Sequence, residues 1–154
     1  MSGRFEKSGG GTRENNMKPK DISFENIFIG DSAFFERTLS DEDVRTFALL
    51  SGDMNPLHLD EEYAKTTKFK RRLVYGMLLG SLCSALVGTY LPGKRCLYLR
   101  QTLSFKKPVF VGDTVIIHGT VKTKSMSTKI VEILISITKN GEEVVEGMAT
   151  VQMI

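Results

Sequence analysis

The chain has 154 residues, 25% of them charged and 41% hydrophobic, with a formal net charge of +3. That length suits one domain with a real core, and the balance is that of a folded globular protein rather than a disordered or fibrous one. The two cysteines, Cys83 and Cys96, lack metal-ligand spacing, no secretory leader is read, and the longest apolar run is broken by Gly76, Gly80, Ser81, Ser84 and Gly88. These features predict reduced thiols, no membrane span and a cytoplasmic setting, or a mitochondrial matrix if the source is eukaryotic.

Residues 1–20 are polar, rich in Gly and Ser and short of apolar side chains, which predicts a disordered tail ahead of one domain over 21–154. Gly30-Asp31 marks a turn, and 33–38 reads as a strand. Ser40 can cap a helix, with Asp43 three residues on and Glu42 and Asp43 suited to the positive N-terminal end. Val44, Phe47 and Ala48 give that helix an apolar face.

The next stretch, Ser51-Gly52-Asp53-Met54-Asn55-Pro56-Leu57-His58-Leu59-Asp60, is the most informative. Gly52 and Asn55-Pro56 are turn formers, and Pro56 biases Asn55 away from the right-handed helical region. A turn of that kind can aim Asp53 and His58 into one cleft, and general acid–base chemistry needs two such titratable groups. Asp, Asn and His near a helix end are usually cap and turn residues, so the spacing by itself is weak. Asp60 can cap a short helix through about residue 67.

Residues 76–91 form the longest helical pattern, ended by Pro92-Gly93. Gly76, Gly80, Ser84 and Gly88 recur every four residues, leaving one stripe nearly free of side chains. Each glycine costs about 1 kcal/mol of helix stability relative to Ala, so close packing is expected against it, either by a sheet or by another helix. Four strands then follow: 96–105, 114–124, 129–139 and 144–153, with Asn140-Gly141 as a hairpin turn between the last two. The expected fold is α+β, an early strand and helices, then an antiparallel meander around the 76–91 helix. His118 falls in a strand and is expected to be structural.

Between residues 64 and 112 there is no Asp or Glu but ten Lys and Arg, whereas the rest carries 11 basic against 18 acidic side chains. Such a band is either a solvated basic surface or a site for an anionic partner. It lacks a helix-turn-helix or zinc signature, which speaks against nucleic acid. No nucleotide-binding glycine loop or zinc spacing calls for a bound cofactor or metal.

The 51–60 motif, Gly76-Met77-Leu78-Leu79, and Leu103-Ser104-Phe105 ahead of Pro108-Val109-Phe110-Val111-Gly112-Asp113 together resemble the MaoC-like, (R)-specific enoyl-CoA hydratases over roughly residues 20–154. The resemblance implies a hot-dog fold that pairs into a homodimer or a dimer of dimers. It implies reversible hydration of trans-2-enoyl thioesters, carried on coenzyme A or acyl carrier protein, to (R)-3-hydroxyacyl thioesters. By position it puts the catalytic pair on Asp53 and His58, an Asn on Asn55, the oxyanion glycine on Gly76 and a supporting serine on Ser84. Tyr75 departs from the His common before that glycine. Arg71, Arg72, Lys94, Arg95, Lys106 and Lys107 then become candidates, as a group, for the carrier. A hot-dog acyl-CoA thioesterase and a non-catalytic acyl-thioester-binding module are the alternatives.

Overall fold

The computed structural model describes residues 17–154, and the tail expected over 1–20 falls mostly outside them. The chain is already tied in at Lys20, whose N–H donates to the Thr89 carbonyl and whose carbonyl accepts from the Lys94 N–H. Strand β1 (Ser32–Thr38) leads to helix α1 (Asp41–Ser51). Ser40 and Asp43 form the reciprocal capping box that their spacing predicts. Gly52, left-handed at φ 77°, closes α1 as its C-cap. Two short helices, α2 (Pro56–Leu59) and α3 (Glu61–Thr66), are capped by the side chains of Asn55 and Asp60.

Helix α4 (Gly76–Ala85) runs on into a π-helical turn over Leu86–Tyr90, so the expected single helix widens in its last third. Then come β2 (Cys96–Phe105), β3 (Thr114–Lys124), β4 (Ile130–Lys139) and β5 (Glu142–Met153), all close to the expected bounds. Asn140 and Gly141 both have positive φ, as a tight two-residue hairpin turn requires. All pairings are antiparallel in the order β1-β3-β4-β5-β2. Only β3, β4 and β5 form a meander. Strand β2 crosses to the far edge beside β5, so the expectation of four strands in a row is corrected there.

Residues at every second position of β3, β4 and β5 turn inward, among them Val115, Ile117, Val131, Ile133, Ile135, Ile137, Val145 and Val151. They close on Leu79, Cys83, Leu86 and Val87 of the helical segment in one apolar cluster. Each such Val or Ile contributes roughly 1.5–3 kcal/mol relative to exposure. This is a helix laid on an antiparallel sheet, the hot-dog arrangement. His118 lies on the other, exposed face of β3.

The glycine stripe works at its first two positions. A Cβ on Gly76 would meet the Phe105 ring at 3.0 Å, and one on Gly80 would meet Leu103 Cδ1 at 2.9 Å, so β2 is what packs there. Gly88 meets nothing within 4 Å, and Ser84 is exposed. The sheet accounts for half of the stripe only.

Candidate active site

Three short elements build the site: the turn after α1, the helix α2, and the start of α4. In the turn, the Asp53 carboxylate accepts from the Asn55 N–H at 3.0 Å, and the Asn55 side chain accepts from the Leu57 N–H at 3.0 Å. Asn55 has ψ 122°, the extended value that the following proline favours. These local bonds turn the chain sharply and leave the Asp53 side chain exposed.

His58 is held more firmly. Its Nδ1 lies 2.8 Å from the Leu73 carbonyl, which can only accept, so Nδ1 carries a proton and donates it. In the neutral ring, Nε2 is then the free acceptor. The backbone around it is fixed by the Leu73 N–H donating to the Leu57 carbonyl and by Arg72 donating to the His58 carbonyl at 3.4 Å.

Tyr75 joins the two. Its ring stacks on His58 at 3.9 Å between centroids, and its hydroxyl donates to the Asp53 backbone carbonyl at 2.6 Å. Burial, and then the Asp53 charge, push the phenol above its ordinary range, so it stays protonated and a donor at neutral pH. Gly76 follows as the first residue of α4, where a backbone N–H has no intrahelical acceptor and the helix dipole favours negative charge.

Tyr75 thus touches the His58 ring and the Asp53 backbone and directly precedes Gly76, while Asn55 makes only local bonds within the turn. Ser84 is not at this point: it sits on the same helix about 12 Å further along at 1.5 Å per residue. Leu73, whose carbonyl fixes the imidazole tautomer, carries no signal in the sequence because the contact is through backbone. Tyr75 stands out in the sequence only as a departure from the expected His.

The basic band reads differently in three dimensions. Arg72 pairs with Asp41 at 2.7 Å and Glu61 at 3.2 Å, Lys94 and Arg95 with Asp21, Lys106 with Glu143 and Glu146, and Lys107 with Glu142. Five of the six candidates for an anionic carrier are therefore engaged with carboxylates from outside the band. Arg72, largely buried, clamps the first turns of α1 and α3. Arg71 lies over the Phe110 ring instead. Among the described residues, the band's cations without a carboxylate partner are Lys68, Lys70, Arg71 and Arg100. No helix among the described residues is long and apolar enough to cross a membrane.

Comparison with known proteins agrees with this fold. The model of the MaoC-like domain matches residues 28–150. The chain is 45% identical over 130 residues to an (R)-specific enoyl-CoA hydratase of Rhodospirillum rubrum, covering 84% of this chain and 90% of the relative. It is 43% identical to an (R)-specific enoyl-CoA hydratase of Aeromonas caviae, covering 86% of this chain and 99% of that one. The solved structure of an R-hydratase from Pseudomonas aeruginosa superposes with a TM-score of 0.84 at 37% identity, covering 88% of this chain and 87% of that chain. With its motifs, its helix-on-sheet fold and these relatives in agreement, the chain belongs to the MaoC-like family.

Proposed function

We propose that this protein is a hydro-lyase that adds water reversibly, in syn fashion, to trans-2-enoyl-CoA, giving (R)-3-hydroxyacyl-CoA. The observation that carries the reading is the His58 ring, locked with Nδ1–H on the Leu73 carbonyl and stacked on the Tyr75 that also holds Asp53. A water accepted between the Asp53 carboxylate and His58 Nε2 attacks C3. As its oxygen bonds to C3, one proton passes to Nε2 and the C2–C3 π electrons move toward the thioester oxygen. The Gly76 N–H meets that developing oxyanion, and one such donor is worth about 3–4 kcal/mol. The proton on Nε2 then returns to C2 from the face that the water used, so one molecule of water is added and every group regains its starting charge.

The base role goes to His58 because its Nδ1 is committed and its Nε2 is not. Asp53 orients the water through its second proton, and Asn55 holds the turn. Ser84 we assign to the wall along which the acyl thioester runs rather than to the reacting carbons. Coenzyme A is the carrier in this reading, since the Rhodospirillum rubrum and Aeromonas caviae relatives are named enoyl-CoA hydratases. The active unit is taken to be a homodimer. Strand β2 is a sheet edge that leaves Leu97, Leu99 and Phe105 about half exposed, and such an edge invites pairing with a second copy.

The test is the loss of enoyl absorbance with crotonyl-CoA, followed by chiral analysis of the product. Formation of the (R)-3-hydroxybutyryl thioester supports the reading. Release of free thiol without hydration would replace it with thioester hydrolysis.

A further inference from the structure

We propose that Tyr75 is a positioning residue for this reaction, setting the Asp53 turn against His58 and the Gly76 N–H. The proposal rests on the hydration reading above. Every other hydrogen bond described for residues 52–55 is local, reaching no more than four residues along the chain. The Tyr75 hydroxyl, 22 residues away, is what ties this exposed turn to the rest of the fold. The same side chain is 2% exposed, is wedged between His58 and Phe47 with centroids at 3.9 and 5.0 Å, and immediately precedes Gly76. One buried side chain therefore references the backbone of the water-orienting Asp53, the base and the oxyanion donor to each other. Without the hydroxyl, the turn keeps its local shape but loses its register against His58.

Misplacement of a reacting group by about 1 Å can cost 10²-fold in rate. The stability cost of losing the bond is small, because the Asp53 residue is exposed and its carbonyl can turn to water. The experiment compares wild type, Tyr75→Phe and Tyr75→Leu for kcat and KM with crotonyl-CoA, alongside thermal melting. Tyr75→Phe is expected to lower kcat about 10- to 100-fold, with KM and melting temperature close to wild type. Tyr75→Leu, which also loses the stack on His58, is expected to fall further. Wild-type kcat in a folded Tyr75→Phe variant overturns the proposal and leaves the hydration reading intact, as does a loss confined to KM or matched by unfolding. Wild type inactive toward enoyl thioesters overturns both.

Discussion

His58 donates its Nδ1 proton to the backbone carbonyl of Leu73 at 2.8 Å, across a gap of 15 residues in the chain. That bond leaves Nε2 as the nitrogen available for the proposed proton transfer. In His58→Asn the amide nitrogen stands close to the former Nδ1 and can keep the bond to Leu73, but nothing replaces Nε2. The variant is expected to fold and to lose about 10²–10⁴-fold in kcat, the range for a positioned acid or base. Steady-state hydration rates set against circular dichroism would check this. A folded, active His58→Asn would remove His58 from proton transfer.

Acid should unfold the protein in a defined direction. The Arg45 and Arg72 guanidinium groups hold Asp41 below the usual carboxylate range. Burial pushes Asp43 and Asp113 up, but the Ser40 N–H and hydroxyl with Arg37, and the Phe110 N–H with Lys139, bring both below it. A depressed folded pKa means that the stabilisation is full above the unfolded value and is lost as pH falls through the folded one. The melting temperature is therefore expected to hold near neutrality and to drop below about pH 4. In Asp43→Asn that acid-side slope should be shallower, with about 1 kcal/mol of capping stability lost at neutral pH.

Two glycines should respond very differently to alanine. A Cβ on Gly147 would stand 1.9 Å from the Thr102 carbonyl oxygen, a backbone atom fixed by the β2–β5 register. Gly147→Ala is expected to cost about 3 kcal/mol or more. At Gly80 the obstacle is a methyl of Leu103, which can rotate, and Ala regains about 1 kcal/mol of helix propensity. Gly80→Ala should stay within about 1 kcal/mol of wild type in urea unfolding.

Cys83 is fully buried on α4 and its thiol is pushed up to about 11 by that burial. It should not react with an aromatic disulfide reagent at pH 8 until the protein unfolds. Cys96, half-buried, should react first. Fast reaction of both thiols in the native state would contradict the packing of this helix.

Much of this fold is legible in the sequence because its signals are local. Ser40 with Asp43, Asn140 with Gly141, and the alternation of Val and Ile mark their elements within a few residues. The place of β2 beside β5 is not local. Neither are the partners of the basic band, since Asp21, Asp41 and Glu142 to Glu146 lie far along the chain from the cations they pair with. The site divides in the same way: Asp53, Asn55 and His58 sit in one motif, whereas Tyr75 and the Leu73 carbonyl reach them only through folding.

The most direct measurement is hydration of crotonyl-CoA by wild type and by Asp53→Asn, with both proteins shown to be folded. The account predicts an active wild type giving the (R) product and a loss of about 10²-fold or more in kcat for Asp53→Asn. An Asp53→Asn variant that hydrates at the wild-type rate would contradict it.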